Sequence, residues 1–289
     1  MPNAQSPTVR HRRLARQLRE IRVQAGLSME RAAAALGWSR PKLVRFETAR
    51  TRPKPADVEA MLDLYGGDEA VKLALMQLAR DIRKRGWWSA FTDVLAGSFA
   101  ELEDDASQIR SWQVQCVPGL LQTNDYALAL LRIRSPEDSE EVMLRRLQAR
   151  MARRTILERQ DAPSFTVVLD EAILRRMVGS PEVMARQLEE LVNAARKPNI
   201  SVRVLPVAEG EHAGMDGTFV ILSFPGELDQ DVVYLEDMGG GIYIEDVGQV
   251  ARCNVRFDRI CDQALSQEDS ATLIATVAKE YRQAHESAQ

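Results

Sequence analysis

Three cationic side chains, Arg40, Lys42 and Arg45, lie close together in the segment LGWSRPKLVRFE, which spans residues 36–47. An arginine guanidinium can donate two parallel hydrogen bonds to O6 and N7 of guanine, at about 1–3 kcal/mol of discrimination per good contact. A lysine ammonium is better suited to a phosphate group, which positions a protein on a duplex without specifying sequence. The same residues also suit the solvated face of a short helix. The choice between a DNA contact and a solvated surface therefore depends on the elements that carry them.

Those elements are two short helices joined by a tight turn. Ser28 is placed to cap a helix over 29–36, and Ser39 is placed to cap a second helix over about 40–48. The turn comprises residues 37–39, and the alanine-rich first helix lets the two helices approach closely. This spacing predicts a helix-turn-helix, in which the second helix enters the major groove of DNA.

Helical spacing extends to both sides of this pair. Apolar residues recur at helical intervals over 10–25, and Pro41 falls in the first turn of the second helix, where its missing N–H costs nothing. Two more helices are predicted at about 56–65 and 68–84. We therefore expect residues 1–85 to form a mainly α, five-helix helix-turn-helix domain.

The charge of the chain is divided unevenly. The chain has 38 lysines and arginines against 42 aspartates and glutamates, a net charge of -4. Residues 1–88 hold 18 of the basic and 9 of the acidic residues, a net of +9, and the other 201 residues hold 20 and 33, a net of -13. A basic front on an acidic body indicates that only the front meets a polyanion.

The front resembles a known family in the segment LREIRVQAGLSMERAAAALGWSRPKLVRFETARTRP. It is similar to the XRE family, the lambda-repressor-like helix-turn-helix regulators, over about sixty residues. The matching positions are Leu18, Arg22, Gly26, Leu27, Ser28, Ala33, Leu36, Gly37, Ser39, Phe46, Glu47 and Pro53. The resemblance implies that Arg22 and Glu47 form a pair tying the first helix to the end of the recognition helix.

The resemblance also implies which residues touch DNA. It places base contacts on Arg40, Pro41 and Arg45, and phosphate contacts near Met29 and Ser39. With Lys42 on phosphate, the predicted DNA-binding set is completed by Ser28 and Arg50.

Two positions depart from the family pattern. Pro41 replaces a polar residue and offers only apolar contact, for example to a thymine methyl group. Thr48-Ala49-Arg50 replaces the usual Asn-Gly ending, so we expect a different exit turn.

The stretch over 86–98 joins the front to the body and is rich in aromatic residues. Trp87, Trp88 and Phe91 lie close together there, whereas a flexible linker would be rich in glycine, serine or proline. This composition favours packing at a domain interface. An exposed patch for a partner or a dimer seam is the alternative.

The body, residues 99–289, alternates strand-like and helical patterns. Strands are predicted within 107–117 and at 164–169, 200–205, 218–224, 232–237 and 242–246, and helices from 123 and at 139–159, 171–177, 181–196, 247–264 and 269–285. The body is therefore expected to be an α+β domain with a largely antiparallel sheet. The arginine-rich face of the helix over 139–159 indicates either a solvated surface or a second DNA contact.

The body shows no motif of a known enzyme class. HExxH, GxSxG and GxxxxGK[ST] are all missing from the sequence. His212, Asp216 and Glu236 would make an unspecific metal site at best, so we expect no enzyme, no cofactor and no metal. The glycine-rich loops suit turn geometry or an effector or partner site. The residues of that possible site are His212, Asp216, Gly239, Gly240 and Gly241.

The body also resembles a known group in several stretches, among them WQVQCVPGLLQTNDYA, HAGMDGTFVIL and DVVYLEDMGGGIYIED. It is similar to the uncharacterised C-terminal domain of a large actinobacterial, antitoxin-like group of XRE regulators. The resemblance implies a small partner protein encoded by a neighbouring gene.

Together these patterns predict a sequence-specific, autoregulatory transcriptional regulator controlled through its C-terminal domain by a partner protein or a ligand. We expect it to bind a double-stranded operator as a homodimer. The alternative is an antitoxin-type interaction module that sequesters a small partner protein.

A membrane span of about 20 apolar residues and a signal peptide are both missing from the sequence, which favours a cytoplasmic protein that associates with the nucleoid when bound to DNA.

Overall fold

The computed structural model describes residues 9–66, 68–83, 86–95, 99–225, 230–237 and 240–286. The chain separates into two compact units, Met1–Gly86 and Trp87–Gln289, each with a hydrophobic core. Helices alone form the described part of the first unit, whereas helices and one six-stranded sheet form that of the second. The predicted fold class is confirmed.

Five helices make up the described part of the N-terminal unit. They are α1 (Val9–Gln24), α2 (Met29–Ala35), α3 (Arg40–Glu47), α4 (Pro55–Tyr65) and α5 (Glu69–Asp81). Their apolar faces converge on one core, in which Leu14, Leu18, Leu43 and Met61 are fully buried. The helix ends agree with the sequence pattern except that α5 ends at Asp81, earlier than expected.

A glycine ends each of the first two helices. Gly26 has φ +68° and Gly37 has φ +65°, a left-handed conformation that glycine adopts without a steric penalty. At the end of α2 the N–H of Trp38 donates to the carbonyl of Ala33 at 2.9 Å. The chain therefore reverses within a few residues, which sets the short turn between α2 and α3.

Thirteen labelled elements form the described part of the C-terminal unit. They are α6 (Phe99–Asp105), β1 (Gln108–Gln113), α7 (Asn124–Arg134), α8 (Glu140–Arg154), β2 (Ser164–Asp170), α9 (Glu171–Arg175), α10 (Pro181–Ala194), β3 (Ile200–Leu205), β4 (Phe219–Ser223), β5 (Val232–Asp237), β6 (Gly240–Ile244), α11 (Val247–Gln263) and α12 (Gln267–Glu286). Short 3-10 helices occur at Trp87–Phe91, Gly119–Leu121, Thr155–Leu157 and Val207–Glu209.

The strands form one mixed sheet in the order β3-β2-β1-β4-β5-β6. β2 is parallel to both β1 and β3, and helical crossovers make these connections. The pairs β1–β4, β4–β5 and β5–β6 are antiparallel, and β5–β6 is the predicted hairpin. The sheet is thus largely antiparallel, as the sequence predicts.

Alternation along β1 separates the two faces of the sheet. Trp112 lies beside Val168 of β2 and Phe219 of β4, and these residues pack with α11 in a buried cluster. Ile109 and Ser111 point to the opposite face, where Ser111 is beside Val220 of β4. That second face carries the cavity described below.

Helix α8 is shorter than the sequence pattern predicts. It ends at Arg154, and a 3-10 turn follows over Thr155–Leu157. The hydroxyl of Thr155 donates to the carbonyl of Ala152 at 2.7 Å, a local bond that competes with continuation of the α-helix.

The arginines of α8 differ from both sequence-based interpretations. They bond carboxylates and an amide of the same unit, so they form neither a merely solvated face nor a free cationic surface. The partners are Asp93 for Arg145, Asp138 for Arg146, Gln122 for Arg150, Glu103 for Arg153 and Glu190 for Arg154.

The aromatic stretch packs on α8 within the C-terminal unit. The guanidinium of Arg145 lies 4.4 Å from the ring centroid of Phe91 and 3.1 Å from a carboxylate oxygen of Asp93. Trp87 contacts both Trp88 and Phe91 through its ring. Among the described residues, no helix is long and apolar enough to cross a membrane.

Candidate nucleic-acid interface

The helix pair α2–α3 is held by small and aromatic residues. Ala32 and Ala33 are buried on α2, as are Leu43 and Phe46 on α3. The ring of Trp38, in the turn, meets the edge of Phe46 with centroids 5.8 Å apart. The pair therefore has the close, fixed geometry of a helix-turn-helix.

The expected pair of Arg22 and Glu47 joins α1 to the end of α3. Nε and Nη2 of Arg22 each donate to a different carboxylate oxygen of Glu47 at 2.8 Å, and Nη1 donates to the carbonyl of Leu27 at 2.6 Å. The Arg22 side chain is 8% exposed and that of Glu47 is 1% exposed. Hydrogen bonding to Glu47 raises the pKa of Arg22. This buried, bidentate contact orients the recognition helix.

The outer face of α3 displays Arg40, Pro41 and Arg45, all of which are exposed. Arg45 makes no ion pair with any described residue. Nε of Arg40 donates to a carboxylate oxygen of Glu30 on α2 at 2.8 Å, with both side chains mostly exposed. Glu30 was not predicted as a site residue, although its place in the first turn of α2 could have suggested it. An exposed ion pair of this kind is weak enough to open when a phosphate or base competes.

Lys42 does not face outward as expected. Its Nζ lies 2.9 Å from Oδ1 of Asp57 on α4 and 3.7 Å from the ring centroid of Trp38. A cation held by a carboxylate and an aromatic face is fixed within the domain. The ion pair and the ring contact show that Lys42 joins α3, α4 and the turn, and its expected phosphate contact stays a prediction.

The serines at the two helix starts behave differently. Ser28 caps α2, and its hydroxyl accepts from the N–H of Arg31 at 3.2 Å. Ser39 stands at the N-cap position of α3 but makes no side-chain cap bond, so the expected cap is wrong in detail. The Ser39 hydroxyl is exposed at the N-terminus of α3, and Met29 is half-buried.

The exit turn of α3 keeps a left-handed residue despite its sequence. Ala49 has φ +54° and is buried, and the N–H of Arg50 donates to the carbonyl of Arg45 at 2.8 Å. Alanine thus adopts here the conformation that glycine usually supplies at a helix end, and the expected difference from the family's exit turn stays a prediction. Arg50 is exposed immediately after this turn.

The proposed loop residues of the C-terminal unit do not converge on a metal site. Nδ1 of His212 accepts from the N–H of Gly214, and its ring lies 5.2 Å from that of Trp112. Asp216 pairs with Arg256, and Glu236 pairs with Arg134. No group of three or more metal-ligating side chains occurs among residues that the structure describes.

Two glycines allow close packing here: Gly241 belongs to the predicted set, and Gly214 lies between its members His212 and Asp216. A side chain at Gly241 would collide with the ring of Tyr234, and one at Gly214 would collide with Trp112. Gly240 pairs with Asp237 in the β5–β6 hairpin, and Gly239 lies outside the described residues.

Two family descriptions match the chain. Residues 13–75 match the description "Helix-turn-helix domain", and residues 96–276 match "Domain of unknown function (DUF5753)". No curated protein and no solved structure matches. The first match agrees with the geometry of α2 and α3, and the second covers more than half of the chain. The protein is thus a DNA-binding helix-turn-helix regulator and belongs to the family defined by the DUF5753 domain.

Proposed function

We propose that α3 reads an operator in the gene's own upstream region through Arg40, Pro41 and Arg45, with Arg50 and Ser39 on phosphates. The observation that carries this proposal is the exposed, unpaired guanidinium of Arg45 on a helix anchored by the buried pair of Arg22 and Glu47. A rigid helix presenting a free guanidinium is the arrangement that bidentate guanine recognition requires.

One helix-turn-helix reads only a few base pairs, so the proposed active form is a homodimer on two half-sites about one DNA turn apart. The C-terminal unit is proposed to control binding through a ligand or a small partner protein, without enzymatic activity. The net charge of -13 on the residues after 88 supports a basic partner and keeps this unit away from DNA. The resemblance to XRE regulators of the actinobacterial antitoxin-like group supports a neighbouring gene as its source and a cytoplasmic location.

The test is a titration of the upstream DNA at fixed salt with the Arg45→Ala protein. Loss of one good base contact should weaken operator binding by about 1–3 kcal/mol and leave non-specific binding nearly unchanged. Arg80→Ala, which removes the same charge from α5, is the matched control. Equal operator affinity of Arg45→Ala and Arg80→Ala would refute the assigned base contact.

The same variants distinguish the antitoxin-type alternative from the regulator function. If sequestration of the neighbouring gene product is the main function, Arg40→Ala and Arg45→Ala should bind that product as the native chain does, and the operator titration should show no sequence preference. A preference for the upstream DNA in the native chain that Arg45→Ala loses would support the regulator instead.

A further inference from the structure

A polar cavity opens on the face of the sheet opposite α11. Its floor includes Ser111, Val220 and Tyr234, and its walls come from α6, α7, α8 and the stretch 116–122. The volume is about 110 Å³, room for several water molecules or one small ligand. Every described lining residue belongs to the C-terminal unit.

Among the described residues, three arginines but only two carboxylates converge on this cavity. Arg153 forms a bidentate pair with the buried Glu103, including an Nη2–Oε1 distance of 2.6 Å. Arg134 donates to Glu236 at 3.0 Å. Arg150 therefore has no carboxylate partner among the described residues, and the described lining carries one positive charge in excess.

Arg150 has a neutral partner. Its Nη1 donates to Oε1 of Gln122 at 2.8 Å, and no described carboxylate lies within ion-pair distance. Gln122 is itself buried and fixed, since its Nε2 donates to the carbonyl of Val117 at 2.6 Å. Desolvation, together with the charges of Arg153 and Arg134, lowers the pKa of Arg150 to about 10. A desolvated cation without a counter-ion is unfavourable unless an anion supplies the missing charge.

Two further groups suit an anion in the same place. Tyr234 lines the cavity, and its hydroxyl has no hydrogen-bond partner in the described parts of the chain. Its ring is fixed between Phe99, 4.1 Å away, and Tyr243, 5.2 Å away, and it closely approaches Gly241. Burial raises the pKa of the Cys116 thiol, which keeps a third lining group uncharged rather than repulsive.

We propose that this cavity binds a small molecule bearing a carboxylate or phosphate group, held by the guanidinium of Arg150 and the hydroxyl of Tyr234. The planar guanidinium fork matches both oxyanions, and a charge-assisted bond in a desolvated site is strong. The cavity size restricts the ligand to a small anion or to the anionic end of a larger molecule.

The ligand acts as an effector of DNA binding, a part of the inference that depends on the proposed regulatory function. Phe99 and Glu103 of α6 line the cavity, and α6 is the first helix after the aromatic stretch. An anion that competes with Glu103 for Arg153, or that neutralises Arg150, changes the electrostatics at the start of the C-terminal unit. By linkage, an effector that alters operator affinity must bind with altered affinity when the operator is present.

The first experiment titrates the full chain, without DNA, with inorganic phosphate and separately with malonate, by calorimetry at constant ionic strength set with chloride. Saturable binding of at least one anion is expected, and the two titrations decide between phosphate and carboxylate. Arg150→Gln should weaken binding by about tenfold or more, because it removes a charge-assisted bond. Arg132→Gln removes an exposed charge from α7 and should bind as the native chain does.

Tyr234→Phe keeps the ring and removes only the hydroxyl, so it tests the site even if Arg150→Gln folds poorly. It should weaken anion binding by several-fold with an unchanged near-ultraviolet circular dichroism spectrum. The proposal is overturned if neither anion binds saturably, or if both variants bind as tightly as the Arg132→Gln control.

The effector role is tested separately by operator titrations with and without the anion that binds. A change in operator affinity that disappears in Arg150→Gln supports the role, since that variant controls for screening of DNA by the anion. Saturable binding with no such change overturns the effector role alone. Anion binding is measured by calorimetry without DNA, whereas operator recognition is measured by the operator titration. A failure of the anion site and a failure of operator recognition are therefore seen in different experiments.

Discussion

At the scale of single residues, the buried pair of Arg22 and Glu47 is the most consequential contact of the N-terminal unit. Glu47→Ala leaves the guanidinium of Arg22 buried with one backbone partner, and breaking such a pair costs about 3–5 kcal/mol. We expect local unfolding of the unit to become easier by that amount. Hydrogen exchange of peptides within residues 13–75 measures it without interference from the C-terminal unit.

Glu30→Ala is the matched control, because it removes a carboxylate that pairs with Arg40 at the surface. Its effect on the same peptides should be too small to resolve. Similar exchange in the two variants would mean that the pair of Arg22 and Glu47 does not hold α3 in place.

His11 is a buried titratable residue of the N-terminal unit, and it should make the stability of that unit depend on pH. It is 3% exposed, and its Nε2 donates to the carbonyl of Thr51 at 3.1 Å. Burial lowers its pKa, an effect that Arg52 reinforces and the bond to Thr51 opposes. Because the folded pKa lies below the unfolded value of about 6.5, stability is full above that pH and is lost as pH falls towards the folded pKa.

The imidazole signals of the full chain should therefore include one that titrates below 6.5 and disappears in His11→Gln. The same variant should flatten the loss of hydrogen-exchange protection as the pH falls below about 6.5. A normal pKa for His11 would contradict its burial.

At the scale of elements, the exit turn of α3 carries strain at Ala49. An L-residue in the left-handed conformation costs about 1–2 kcal/mol, whereas the buried methyl group contributes about 0.8 kcal/mol. Ala49→Gly should therefore raise the local stability of the N-terminal unit by up to about 1 kcal/mol, and the β-branched Ala49→Val should lower it. Slower exchange in α3 peptides for glycine and faster exchange for valine is the expected result. The reverse order would place the strain elsewhere.

Elements encoded by local signals were predictable, and contacts between distant segments were not. Gly26, Gly37 and Ser28 mark helix ends through their own backbone and side-chain chemistry, so α1 and α2 follow from the sequence. The inward direction of Lys42 depends on Asp57, which α4 supplies only after folding.

The cavity could not be predicted from the sequence for the same reason, because it is formed by contacts between distant segments. The helical pattern of α8 shows that Arg150 and Arg153 share a face, but their partners Gln122 and Glu103 come from separate elements. A periodic run of arginines is equally compatible with solvent, DNA or internal carboxylates. Only the tertiary structure shows that one guanidinium, that of Arg150, has no carboxylate partner in the part of the chain that is described.

At the scale of the whole molecule, the division of charge between the two parts of the chain should govern how DNA binding responds to salt. Each phosphate contact releases counterions and contributes about -0.9 to the slope of log affinity against log salt concentration. The net charge of +9 on residues 1–88 predicts a steep negative slope, although the chain as a whole has a net charge of -4.

Arg50→Ala should make that slope shallower by about one unit and should weaken binding to all sequences equally, because Arg50 is exposed next to α3 and is assigned to phosphate. Arg45→Ala should instead reduce the preference for the operator over unrelated DNA. Arg132→Ala removes an equal charge from the acidic part of the chain and should leave both quantities unchanged. Fluorescence anisotropy at several salt concentrations, with operator and unrelated duplexes, measures slope and preference together. A slope that changes as much for Arg132→Ala as for Arg50→Ala would show that net charge, rather than the surface around α3, determines binding.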